Sequence, residues 1–310
     1  MNKNFPALGF GTSRLVHHTT KSAALQNLHV AYEMGIRYFD TAPIYGYGWS
    51  EKILGTFSID KRDSLFIATK IGLLPSKVLS SLPFELVSAL RRKVKDATEK
   101  NPNSLPVVRN PVNAIHFDSK WAMKHFDQSL RRLKSDYVDA LLLHETTVEF
   151  ANEDETIKFI DHILNTGKAR FVGLGSEASK LHDVKDLAPV YTLLQHEYSL
   201  EDVQNQIGTG RIINIHGLFQ NLKFLTSLSM DKEIRDEIEE IAALDIKKEA
   251  EALEICLAGA RYLNPYGNTL FSATKDHHIK ETISMWNTSK LKDPQIDGIL
   301  NIIRKHAMTI

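Results

Sequence analysis

One cysteine, Cys256, stands in 310 residues, so no intrachain disulfide can staple the fold. A reducing compartment is the matching expectation. No apolar run approaches the roughly 20 residues of a membrane-spanning helix. The start, Met-Asn-Lys-Asn-Phe-Pro, has no charged lead running into an apolar core, so no secretory signal is read there. Cytoplasmic residence is the default. Charge of one sign is also lacking: Lys plus Arg total 38 and Asp plus Glu total 38, a formal net charge of zero. Neither nucleic acid nor an anionic membrane surface is expected as a partner of such a chain. The histidines show no H-E-x-x-H or similar spacing, so no metal is expected. Fixed-period repeats, low-complexity tracts and a G-x-G-x-x-G turn after a strand are all absent, which leaves a Rossmann domain without support.

What is there is an ordinary globular composition, 43% hydrophobic and 25% charged, in which short β-branched or aliphatic runs alternate with longer amphipathic ones. That alternation is the signature of βα units and a parallel sheet. Strands are predicted at 8–12, 37–41, 65–71, 137–144, 170–176, 191–195, 211–216 and 269–272. Helices are predicted at 22–34, 121–133, 156–164, 249–263 and 278–286, the first with Leu25, Leu28 and Tyr32 at helical spacing before Gly35. Eight parallel strands filling nearly the whole chain favour a closed (β/α)8 TIM barrel in a single domain over an open sheet.

The stretch 72–118 breaks the rhythm. It holds Pro75, Pro83, Pro102, Pro106 and Pro111 among charged residues and is far longer than a usual βα loop. It reads as a lid or a substrate-specific insertion after strand three, placed to overhang the end of the barrel where barrel enzymes keep their chemistry. A second insertion, 218–248, carries a charged run at 231–240 that reads as a solvated helix face.

Residues that end barrel strands point into one mouth, and four polar residues meet that test. Asp40 closes strand two, Tyr45 lies just beyond it, Lys70 ends strand three and His144 ends strand four. Singly, each has a plain explanation: a helix-cap or turn aspartate, a packing aromatic, a satisfied strand-end histidine. Lys70 is harder to dismiss, because a lysine after an apolar run needs a counter-charge or an exit to water. Together the four suit carbonyl reduction, which puts negative charge on oxygen and calls for a proton donor and nearby positive charge. A phenol at its ordinary pKa of about 10 is a poor acid-base near neutrality. An ammonium beside it lowers that value. Lys70 is expected to do so, with Asp40 holding Lys70 charged and His144 donating a hydrogen bond to the substrate oxygen.

With these residues in place, the sequence resembles the aldo-keto reductase family over nearly its full length. The opening Leu8-Gly-Phe-Gly-Thr12 is similar to the family's first-strand glycine signature. The run from Gly35 to Gly55, through Arg37-Tyr-Phe-Asp-Thr-Ala-Pro-Ile-Tyr45-Gly, is similar to its most diagnostic motif. The resemblance implies that Asp40, Tyr45, Lys70 and His144 are catalytic. It also implies a cofactor, NADPH (NADP), with NADH as the other candidate. Gly11, Thr12 and Asp40 would contact it, and Ser176, in Gly173-Leu-Gly-Ser-Glu177, would hold the nicotinamide carboxamide with Gln195. An Asn common in that segment of the family is absent here. His216 stands where many members stack a Tyr on the nicotinamide. At the adenosine end Ser272, Thr274, Lys275 and His278 are the candidates, and an Arg often found there is replaced by His278, so the basic set for a 2'-phosphate is thin.

The resemblance leaves the reaction direction open. Some relatives with a long third loop oxidise a sugar at its anomeric carbon, so the substrate is a small-molecule carbonyl or sugar. A Schiff base on Lys70 and a non-catalytic nucleotide-binding sensor or partner subunit are the other readings. Tyr47, Trp49 and Trp121 are candidate wall residues for an apolar or sugar face. Oligomeric state is not legible.

Overall fold

The computed structural model describes residues 5–17, 20–100, 118–181, 183–201 and 210–307. The first half of the chain lays down β1 (Leu8–Gly11), α1 (Lys21–Glu33), β2 (Tyr38–Asp40), α2 (Trp49–Ser58), β3 (Phe66–Ile71), α3 (Lys77–Ser81), α4 (Phe84–Lys100), α5 (Ser119–Leu133) and β4 (Val138–His144). The second half adds α6 (Val148–Ala151), α7 (Asp154–Asn165), β5 (Ala169–Gly175), β6 (Leu193–Glu197) and β7 (Ile212–His216). It closes with α8 (Leu218–Leu228), α9 (Lys232–Ala242), α10 (Glu249–Leu263), β8 (Asn268–Phe271), α11 (Asp276–Thr288) and α12 (Asp293–Ala307). The strands form a closed barrel in chain order, and β1 pairs in parallel with β8 through Phe10 and Phe271. This is the predicted (β/α)8 barrel.

Strand side chains alternate between two faces, and the barrel uses one phase throughout. A small apolar cluster of Tyr38, Ala68, Ala140, Leu142, Leu193 and Leu270 fills its inside. The larger core lies between barrel and helices. Moving two residues along each strand from that inner cluster leads to Asp40, Lys70, His144, Gln195 and Ser272 at the C-terminal rim. The phase that packs the barrel is therefore the phase that delivers polar groups to its mouth.

Most differences from the predicted elements are shifts of a residue or two. Strand six is the instructive one, running over Leu193–Glu197 rather than 191–195. Tyr191 is apolar enough to look like its start, but it is a fully buried anchor whose hydroxyl donates to Ala151 O at 2.6 Å. Helix α2 was not predicted, and neither were α3, α4 or α12. In α9 Ile234, Ile238 and Ala242 form a buried seam and Asp231 caps the first turn, so the charged run is a solvated face opposite that seam.

The far end of the barrel is tied by Asp139, which accepts from Ile67 N at 2.9 Å and pairs with Arg62 at 2.8 Å and Arg170 at 3.0 Å. Close strand spacing is enforced by Gly173, where an added Cβ would lie 1.8 Å from Leu193 O. Gly173→Ala is expected to cost about 1–3 kcal/mol through forced backbone displacement, read as a lower urea midpoint. An unchanged midpoint would mean that the β5–β6 spacing yields freely.

Candidate active site

The mouth is built around a buried ammonium. Lys70, 2% exposed, places Nζ 2.5 Å from Asp40 Oδ1 and donates to Thr41 O at 3.1 Å. The Tyr45 ring centroid is 5.1 Å from that nitrogen. The His144 ring stands perpendicular to Tyr45, centroid to centroid 6.2 Å. Gln195, in the middle of β6, lies near enough to Asp40 to favour its charged form. Residues from four strands and the turn after β2 thus share one small volume.

Local backbone explains how Tyr45 reaches it. After β2 the chain turns tightly through Gly46, Tyr47 and Gly48 at φ 57°, 56° and 89°. At Gly46 a Cβ would also lie 2.1 Å from Val16, so both the conformation and the contact require glycine there. The turn is held from behind by α2. Ser50 Oγ donates to Thr12 O at 2.9 Å, and the fully buried Glu51 accepts from Thr69 Oγ1 at 2.7 Å and Arg132 Nε at 2.6 Å. Across the mouth Glu145, next to His144, has φ 59° and pairs with Lys180 at 2.7 Å. A non-glycine residue held in the left-handed region carries strain that its surroundings must offset. None of this was legible at the sequence level, because no local pattern marks Glu51 or Glu145.

Charge in the site is set by burial working against pairing. Burial opposes the Lys70 charge, yet Asp40 and Tyr45 outweigh it and hold its pKa above the ordinary lysine value. Burial raises the Asp40 carboxyl, with Lys70 and Gln195 pulling the other way. For Tyr45 burial also wins: the phenol is pushed above its ordinary value of 10.0 although Lys70 lowers it. The ammonium does pull the phenol down, as expected, but in the free protein burial outweighs it and the net direction is upward. Burial and then Lys70 hold the His144 imidazole well below its usual range, so it is neutral near pH 7. His216 is lowered to about 4 by burial, then by Lys70 and His196.

The residues proposed from sequence for a cofactor occupy the same rim unevenly. Gln195 Oε1 and Thr12 Oγ1 are buried without a hydrogen-bond partner, as are Thr41 Oγ1, His144 Nδ1 and Thr146 Oγ1. The Ser176 hydroxyl, by contrast, donates to Thr146 O at 2.8 Å and accepts from Thr146 N at 3.0 Å, so its one proton is engaged. Ser272 likewise donates to Gly11 O at 2.9 Å. Thr274 and His278 are half-buried around the start of α11, while Lys275 is exposed at its N-cap position. The His278 ring lies 4.2 Å from that of His277.

Of the candidate wall residues, Tyr47 is half-buried under Arg91, whose Cζ is 5.1 Å from the ring centroid. Trp49 is framework: its indole N–H donates to Leu82 O at 3.0 Å and its ring meets Phe84 edge-on at 5.8 Å. Trp121 packs against the main core beside His125. In the 72–118 stretch, α3 and α4 pack against the Tyr45–Gly48 turn, and α4 also against the Leu15–His17 turn. Pro102, Pro106 and Pro111 lie outside the described residues. Among the described residues no cluster of His, Cys, Asp and Glu could hold a metal, and no helix is long and apolar enough to cross a membrane.

Comparison with known proteins finds relatives in both sequence and fold. A family model described as the aldo/keto reductase family matches residues 7–217. D-threo-aldose 1-dehydrogenase of a Pseudomonas species is 30% identical over 56% of this chain and 51% of its own length. L-galactose dehydrogenase of Arabidopsis thaliana is 28% identical over 54% of this chain and 44% of its own. The chain thus spans about half the length of these curated relatives. Among solved structures, an aldo-keto reductase from Klebsiella pneumoniae in complex with NADPH superposes with a TM-score of 0.66 at 17% identity, covering 97% of this chain and 92% of that one.

Proposed function

The chain belongs to the aldo/keto reductase family, a family of oxidoreductases, and on that footing we propose that it reduces an aldehyde or ketone to an alcohol with NADPH, Tyr45 serving as general acid. The observation that carries this reading is the buried Lys70 ammonium, paired to Asp40 and set beside the Tyr45 ring with His144 opposite. On the same reading 1–310 form one barrel domain with 72–118 inserted after β3. The partner is a small-molecule carbonyl or sugar, and the place of work is the cytoplasm.

The reduced nicotinamide would supply the hydride. Residues present fit such a group: Gln195 Oε1 and Thr12 Oγ1 are buried without partners at the rim, and buried polar atoms left open are what a ligand's polar groups satisfy. Gln195 would hold the carboxamide, joined by Ser176, whose remaining acceptor capacity is the part of its hydroxyl still open. His216 is neutral at working pH and offers a flat, uncharged ring to the nicotinamide. Ser272, Thr274, Lys275 and His278, with the Gly11–Thr12 rim, would take the adenosine side.

The chain's own residues then divide the work. His144, neutral, has an N–H to donate to the substrate oxygen and so orients the carbonyl. Tyr45 holds its proton at neutral pH and gives it to that oxygen as negative charge grows there. Lys70 stabilises the phenolate that results, and Asp40 keeps Lys70 charged and fixed. Because burial raises the Tyr45 phenol, the rate of reduction is expected to stay flat from neutral pH to about 10 and to fall above. His144 adds no acid limb near its ordinary pKa, since it stays neutral well below it. A reductive rate that falls with a midpoint near neutrality would show that some other group donates the proton.

Two sugar dehydrogenases among the relatives favour a second reading in which the same site oxidises an aldose at its anomeric carbon. Tyr45 would then act as base, and the oxidative rate would climb with pH over the range where reduction is flat. Initial rates in both directions, on a panel of aldehydes and aldoses, test the proposal and choose between the two. Replacing Lys275 by Ala is expected to weaken NADPH about tenfold and leave NADH unchanged, because a 2'-phosphate loses its nearby cation. Fluorescence titration with both nucleotides checks it.

A further inference from the structure

We propose that Arg14, its guanidinium over the Phe219 ring, is the residue that meets the diphosphate of the dinucleotide. The inference rests on the functional reading above and adds a binding residue that the sequence did not mark. Arg14 leaves the rim just after β1, and Phe219 sits in the first turn of α8 just after β7. In the barrel β8 lies between those two strands. The Arg14 Cζ is nevertheless 4.7 Å from the Phe219 ring centroid. The pair therefore bridges over the C-terminal end of β8.

At that crossing β1 and β8 are tied by one short side chain. Ser272 Oγ donates to Gly11 O at 2.9 Å, and a Cβ on Gly11 would come 2.7 Å from that oxygen. The ends of β1 and β8 are thus closed on each other through Ser272, and glycine at position 11 leaves that oxygen room. If Gln195 and His216 face the nicotinamide and the start of α11 faces the adenosine, the diphosphate spans this gap.

Charge points the same way. At the mouth Lys70 is paired with Asp40 and Lys180 with Glu145. Arg14 is exposed and, among the described residues, has no carboxylate partner. A guanidinium stacked on an aromatic face keeps its in-plane N–H groups free, and its fork matches two phosphate oxygens. Phe219 thus holds the cation in place without neutralising it. Lys275, exposed on the outer lip at the start of α11, is left for the 2'-phosphate, so the two cations divide the nucleotide's charges between them.

The division makes the test selective. Wild type, Arg14→Ala, Arg14→Lys and Phe219→Leu are titrated with NADPH and with NADH by fluorescence, each variant first checked by far-UV circular dichroism and thermal melting. Arg14→Ala is expected to weaken both nucleotides by the same factor, about 10- to 100-fold, since both carry the diphosphate and lose a charge-assisted pair. Arg14→Lys should recover part of the loss, and Phe219→Leu should weaken both by a smaller factor. Should Arg14→Ala fail to fold, Arg14→Gln keeps a polar side chain without the charge and is expected to behave as Ala would. Unchanged affinity for both nucleotides overturns the proposal while the functional reading stands. Loss confined to NADPH also overturns it, by moving Arg14 to the 2'-phosphate. A wild type that binds neither nucleotide sinks the functional reading and this inference together.

Discussion

Tyr45→Phe is expected to lower carbonyl turnover by about 10²- to 10⁴-fold, the range for losing a positioned general acid, with nucleotide affinity unchanged. The substitution removes one oxygen and keeps the ring, so the perpendicular contact with His144 and the turn through Gly46 and Gly48 survive. What disappears is the proton that burial holds on the phenol at neutral pH. Neither neighbour is suited to replace it. His144 is held neutral by burial and Lys70. Lys70 is committed to Asp40 and Thr41, and giving up its proton would leave Asp40 unpaired. The check is kcat with a reactive aldehyde beside a nucleotide titration of the same preparation. Turnover within a few-fold of wild type would remove Tyr45 from the chemistry.

Lys70→Met is expected to lose turnover and also to destabilise the fold by about 3–5 kcal/mol, the usual cost of deleting one partner of a buried ion pair. Asp40 is 3% exposed, and Lys70 is the main influence holding its burial-raised pKa down. In the variant the carboxyl must stay charged without its partner or take up a proton. Its pKa in the folded state then lies still further above the unfolded value, so the folded chain binds more protons than the unfolded one. Stability falls as pH rises through that window and recovers toward acid. Urea midpoints across pH read this directly. Adding Asp40→Asn removes the stranded charge, so the double variant is expected to regain most of the stability and none of the activity. A single variant as stable as wild type at every pH would mean that Asp40 finds another partner.

Much of the architecture was legible because barrel strands are short apolar runs and their helices long amphipathic ones. Eight strands could be counted, and boundaries missed where side-chain chemistry imitates a strand, as at Tyr191. Helix α2 was hidden by an approach through Gly46, Tyr47 and Gly48 that reads as loop, and α3 and α4 by the prolines around them. The site's membership was legible for a related reason: a lysine or aspartate ending an apolar strand has few places to go but the mouth. Its electrostatics were not. Whether Lys70 or burial decides the Tyr45 proton depends on how completely the assembled walls exclude water, and burial wins. The hydroxyls of Ser176 and Ser272 could be placed at the rim from sequence, but not their engagement with Thr146 and Gly11. Arg14 on Phe219 was invisible for the same reason, since the pair meets only when β1 and β7 flank β8.

Hydride transfer at this mouth is the central claim, and an isotope traces it most directly. Wild-type protein is incubated with NADPH deuterated at the transferable C4 position and an aldehyde it turns over, and the product is analysed by mass spectrometry and NMR. The account predicts one deuterium on the former carbonyl carbon and a solvent proton on the oxygen. Reduced product whose new C–H bond carries hydrogen from water would contradict it, as would bound nucleotide with no turnover across a broad panel of aldehydes and, with NADP, of aldoses.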